Sequence, residues 1–156
     1  MKNTKRILSL ILCMAMVIGY FTVGIASAET TTKKYVFSSF TAGTQYAKNE
    51  EHKLDEFITV TTTDCHFTEQ IRLYSSSTNN GYAIIKVTDG NTISGLTINA
   101  GYKKDTVKVY GSNDGNTWTE FASVSITSTS YKDYTVSFGQ NAYQYLKLDV
   151  SGSNQV

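Results

Sequence analysis

Near the end of the chain, Tyr145 to Val150 alternate strictly. Leu146, Leu148 and Val150 are apolar, while Tyr145, Lys147 and Asp149 between them carry polar groups. Successive side chains of an extended backbone point to opposite faces, so this run can bury one face of a sheet and present the other to water. The same reading extends upstream. Thr106–Tyr110, Thr117–Ile126 and Lys132–Phe138 are short alternating runs separated by polar turns. Phe57–Thr63, "FITVTTT", is a β-branched strand. Gln70–Tyr74 puts Ile71 and Leu73 on one face and Arg72 and Tyr74 on the other. Tyr82–Thr88 is apolar on both faces at Ala83, Ile84, Ile85 and Val87, the pattern of a central strand. Ile93, Leu96, Ile98 and Ala100 form a further strand whose phase slips near Gly95, which predicts a bulge there. Tyr35–Phe40 alternates weakly and reads as a first strand. Thr41–Asp55, with its charged "KNEEHK", reads as a long loop with at most one helical turn.

The turns between these runs are made without proline, of which the chain has none; average usage would give ~8. Gly, Asn, Asp and Ser must therefore supply the bends. Asn113-Asp114-Gly115-Asn116, between "TVKVY" and "TWTEF", is the sharpest of them, because Asp-Gly between alternating strands is a strong hairpin signal. A calcium loop is the rival reading. Calcium needs several oxygen ligands at set spacing, and Tyr110 and Phe121 stand where an EF-hand would carry its first and last acids. Structural calcium therefore has no motif behind it, and no cofactor is expected. Trp118, the single tryptophan, reads as core or hairpin packing rather than a sugar platform. About eight or nine short strands with regular turns and no amphipathic helix predict an all-β fold, an antiparallel β-sandwich.

The N-terminus has a different character. Lys2, Lys5 and Arg6 precede an almost wholly apolar run, Ile7–Ile25, and Ala26-Ser27-Ala28 follows. Charged start, apolar middle and A-x-A end make residues 1–28 a secretory signal peptide; an uncleaved membrane anchor is the alternative. Residues 29–34 then form a polar leader and residues 35–156 the sandwich module. The expected product is secreted and extracellular, with no membrane attachment once the signal is cleaved. Removing three cations turns the formal charge of +1 slightly negative, which speaks against nucleic acid as a partner. Of the two cysteines only Cys65 lies beyond the leader, so no disulfide can form within the module. At the other end, Gln155-Val156 looks like the start of a strand cut short, which suggests a longer reading frame and a linked catalytic domain.

Catalytic residues are scarce. His52 and His66 are the only histidines, and adjacent Cys65 and His66 on a strand would point to opposite faces, unsuited to one metal ion. A Cys–His nucleophile pair would need His52 brought close, and Cys65 reads more simply as a small buried hydrophobe. No G-x-S-x-G, H-E-x-x-H or phosphate loop occurs. The expectation is a non-catalytic chain.

"VKVYGSNDGNTWTEFASVSI", "YKDYTVSF" and "YQYLKLDVSG" resemble the C-terminal half of discoidin-like (coagulation-factor C-type) domains, over about Leu96 to Gly152. These are galactose-binding-like jelly rolls found among bacterial carbohydrate-binding modules. The resemblance implies a jelly roll whose S-x-D-G-x-x-W hairpin is structural, with sugars bound at loops on the opposite edge. The N-terminal half departs from that pattern, lacking an early Trp–Asp pair and a calcium loop. "HFTEQIRLYSSSTNNGYAIIKVTDGNTISGLTINAG" instead resembles sandwich modules appended to secreted pectate lyases and nucleases.

Together these readings predict a carbohydrate-binding module for an acidic plant or cell-surface glycan. Tyr82 and Tyr102 sit at loop edges and offer rings to sugar C–H faces. Arg72, with Tyr74 beside it, suits a uronate carboxylate, and Lys103 and Lys104 add charge. The alternatives are a structural spacer for an attached lyase or nuclease domain, and a small independent secreted enzyme.

Overall fold

The computed structural model describes residues 21–26, 30–35, 47–67, 71–73, 81–88, 90–101 and 105–150. Twelve strands run through them: β1 Phe21–Ala26, β2 Thr30–Tyr35, β3 Glu50–Lys53, β4 Ile58–Thr63, β5 His66–Phe67, β6 Ile71–Arg72, β7 Tyr82–Val87, β8 Leu96–Ala100, β9 Asp105–Ser112, β10 Thr119–Ile126, β11 Lys132–Val136 and β12 Tyr145–Asp149. No helix occurs among the described residues. One sheet has the order β11-β8-β1-β2, a second β10-β9-β12-β7-β4-β3, and β5 pairs with β6 alone. Every strand pairing is antiparallel. The protein is an all-β antiparallel sandwich.

One core joins the two larger sheets. Ile58, Val60, Ala83, Ile85, Val87, Val107, Val109, Leu146 and Leu148 point inward from the six-stranded sheet and meet Leu96, Ile98, Ala100 and Val136 from the four-stranded one. Fully burying such a side chain contributes roughly 1.5–3 kcal/mol, so the alternate apolar residues dominate the layer's stability. At one end Phe121, Phe138 and Tyr143 close the core, with ring centroids 4.8 Å (Phe121–Phe138) and 5.0 Å (Phe121–Tyr143) apart. Gly111 is required beneath them, since a Cβ there would lie 2.5 Å from the Tyr143 ring. At an outer edge the Tyr35 hydroxyl donates to Asp55. The other Asp55 oxygen accepts from the backbone N–H groups of Phe57 (2.7 Å) and Ile58 (2.9 Å). This latch links β2 of one sheet to the β3–β4 turn of the other.

Several expectations hold. β7 is central, between β12 and β4. Ile71 and Leu73 are buried together, as are Leu146, Leu148 and Val150. Other expectations need correction. "KNEEHK" is not all loop, because Glu50–Lys53 is an edge strand paired with β4. Charged residues suit an edge, where no further strand should add. The bulge lies between Glu120 and Ala122, against β9, and not near Gly95; β8 simply begins at Leu96, while Ile93 makes an isolated bridge to Tyr143. Tyr35 ends a strand instead of starting one, and residues 36–40 lie outside the described set. β1 falls within the segment read as a signal peptide and pairs with β8 through Phe21↔Ile98 and Thr22↔Thr97. No helix of the described residues is long and apolar enough to cross a membrane.

Candidate functional site

The outward face of the six-stranded sheet follows from register. With Leu146 and Leu148 inward, Tyr145, Lys147 and Asp149 face out. Lys147 is opposite Tyr110 on β9 and Ile84 on β7. Asp149 is opposite Lys108 and Tyr82, and Tyr145 is opposite Ser112 and Lys86. Cross-strand neighbours on one face lie close enough to touch, so three rows form across the sheet. The middle row runs Glu120, Tyr110, Lys147, Ile84, Thr61, Glu51.

Lys147 is the centre of an aromatic cluster. Its Nζ lies 4.4 Å from the Tyr110 ring centroid, 5.6 Å from Trp118 and 5.8 Å from Tyr82. It also approaches Asp149 Oδ2 at 3.8 Å, with the lysine side chain 22% exposed. Each ring contact contributes about 0.5–1 kcal/mol at a partly exposed site, so the lysine fixes three rings in place. Lys86 Nζ stands 5.7 Å from the Tyr145 centroid. Lys108 pairs with Glu120 at 3.5 Å. Burial, and then the Glu120 carboxylate, raise the Tyr110 phenol above its ordinary value, so it stays a neutral donor.

The Asp114 turn builds one border of this face. Asp114 Oδ1 accepts from Ser112 Oγ at 2.9 Å and from the backbone N–H groups of Asn116 (2.8 Å) and Thr117 (2.7 Å). Oδ2 accepts from Thr117 Oγ1 at 2.9 Å. The Thr117 and Asn116 N–H groups, more than any other cause, hold this carboxyl well below the usual range. Both oxygens are thus committed to the turn itself. Gly115 takes φ +74°, and a Cβ there would meet the Tyr145 ring at 3.4 Å. Asn113 Oδ1 accepts from the Gln144 N–H at 3.0 Å, tying the hairpin to the approach of β12. The turn is scaffold, and what it positions is Trp118 and Tyr145. Trp118 is half-buried and lies over Lys147, outside the core.

Among the residues expected from sequence to bind ligand, Tyr82 lies on this face. Arg72 is on β6, paired with His66 in the separate two-stranded sheet, and its side chain is outside the described residues. Tyr74, Tyr102, Lys103 and Lys104 also lie outside them. Sequence reasoning missed Tyr110, Trp118, Tyr145, Lys86 and Lys147 as a group. The one signal for them was alternation, which set Tyr145 and Lys147 opposite the apolar residues of β12.

The Cys65 region has different chemistry. Cys65 is buried, with Sγ donating toward the carbonyls of Tyr82 (3.2 Å) and Thr63 (3.3 Å). Burial pushes its thiol up to about 12, the reverse of an activated nucleophile. His52 Nε2 is 3.1 Å from Thr62 Oγ1 and 3.7 Å from Glu50. Among the described residues no three His, Cys, Asp or Glu side chains are grouped as a metal site would need.

No protein-family model, curated protein or solved structure matches the chain.

Proposed function

We propose that this protein is a secreted, non-catalytic carbohydrate-binding module that takes its glycan on the outward face of the six-stranded sheet. One observation carries the reading: Tyr82, Tyr110 and Trp118 gather around Lys147 on a single open face, with Tyr145 beside them. Sugar rings present C–H faces to aromatic rings and hydroxyls to fixed polar groups. Here Lys147 supplies donors at the centre of the rings, the Tyr110 hydroxyl belongs to the same row, and Asp149 stands in the next row. The rings are held by the lysine and by the Asp114 turn before any ligand arrives, which lowers the ordering cost of binding.

Discoidin-like ancestry belongs to this proposal, and so does cleavage after Ala28, which would remove β1 from the four-stranded sheet and leave every strand of the six-stranded face in place. The antiparallel sandwich agrees with that ancestry, but the face described above differs from the edge loops that the resemblance implies. A spacer role is the second reading. It draws on the Lys147–Asp149 and Lys108–Glu120 pairs, in which the face satisfies its own charges.

Affinity electrophoresis through gels containing soluble polysaccharides separates the two. The binding reading expects retardation by at least one polymer and its loss in Tyr110→Ala and Trp118→Ala. Free migration in every gel, or retardation that both variants retain, would sink it.

A further inference from the structure

The third outward row of the six-stranded sheet has an uncommon charge pattern. Lys53 on β3 is opposite Thr59 on β4, Thr59 is opposite Lys86 on β7, and Lys86 is opposite Tyr145. Antiparallel partners stand about 5 Å apart, so two lysines flank one threonine at about 10 Å from each other. A pocket of about 240 Å³ opens here, lined by Phe57, Thr59, Lys86, Val87 and Thr88. It is smaller than the roughly 300–1,000 Å³ pockets that enclose a drug-sized molecule, a size for one ring or one substituent.

The other cations of the face are already matched, Lys147 by Asp149 and Lys108 by Glu120. Among the described residues, no carboxylate pairs with Lys53 or Lys86, and the Thr59 hydroxyl has no hydrogen-bond partner. Glu51 is the other outward side chain of β3, one row away beside Thr61. Glu56 is exposed in the neighbouring turn. Asp55, which also lies there, is occupied by Tyr35 and by two backbone N–H groups. The Thr88 hydroxyl accepts from Asn91 at 2.9 Å.

We infer that this pocket, together with Lys53 across Thr59 from it, is an anionic subsite, in which Lys86 and Lys53 take the carboxylate of a uronic acid residue and Thr59 donates to it, while neighbouring sugar rings extend over Tyr145 toward the Lys147 cluster. The inference rests on the proposed glycan-binding role of this face and names its ligand class. The half-buried Phe57 ring offers an apolar surface to a sugar ring, and two ammonium groups with a hydroxyl match the acceptor sites of one carboxylate.

The test measures affinity for three soluble polymers: polygalacturonate, its methyl ester and neutral galactan. The full chain should bind polygalacturonate about tenfold or more tighter than its ester. That preference should shrink with added salt. Lys53→Gln should remove most of it while leaving the weaker binding of neutral polymer intact, Lys86→Gln should also remove most of it, and Lys86→Arg should keep it. Equal affinity for acid and ester, or a Lys86→Gln variant with unchanged preference, would overturn the anionic subsite and leave glycan binding standing. Binding to none of the three polymers would overturn both.

Discussion

Cys65 shows how one residue's chemistry is set by its place in the sheet. Its sulfur is sealed beneath β4 and β7 and faces two carbonyl oxygens. Burial, the largest cause, favours the neutral thiol and lifts its proton affinity to about 12. A thiolate-directed reagent at pH 8 should therefore label the native protein no faster than the protein opens, and label it promptly in urea. Native-state labelling at the rate of a free peptide thiol would contradict the burial. That Cys65 is a small buried hydrophobe was legible in the sequence, because nothing there activated it. Asp114 was legible too, since Asp-Gly between alternating runs demands a turn. The purpose of that turn was not legible, because Tyr145, which packs over Gly115, is thirty residues further along the chain.

Among the elements, β3 is the most instructive. Glu50, Glu51, His52 and Lys53 look like solvated loop, yet they pair with β4 at the sheet's edge. Composition hides such a strand because an edge needs little apolar surface. Its inward side is not fully wet: His52 is half-buried against Thr62. Burial lowers the imidazole's proton affinity, and Glu50 opposes this only in part. A base whose folded value is depressed stabilises the native state above its unfolded value, near 6.5. That contribution is lost as pH falls below it, because protonation then favours the unfolded chain. The urea midpoint should drop between pH 7 and pH 5 in the wild type, and drop less in His52→Gln. Identical pH profiles for the two proteins would show that His52 is not held this way. The hairpins of the C-terminal half, by contrast, could be read directly, since β9–β10 and its turn are local in sequence.

At the scale of the molecule, alternation and turn chemistry specified two antiparallel layers, and the buried set follows them closely. The candidate face could not be read the same way. Tyr82, Tyr110, Trp118, Tyr145 and Lys147 come from three strands and a turn, and they meet only through cross-strand register. A single sequence states which side of a strand a residue takes and not which residue stands opposite. The loop-edge candidates were chosen by composition for that reason, and among the described residues Tyr82 is the one of them on the face. The account's central claim is that glycan binds on this face. An amide and side-chain NMR titration of the labelled chain with oligogalacturonate tests it most directly. The predicted result is a set of shift changes clustered at Tyr82, Lys86, Tyr110, Trp118, Tyr145 and Lys147, with the buried residues of β8 unmoved. Changes confined to other surfaces, or a spectrum that the sugar leaves unaltered, would contradict it.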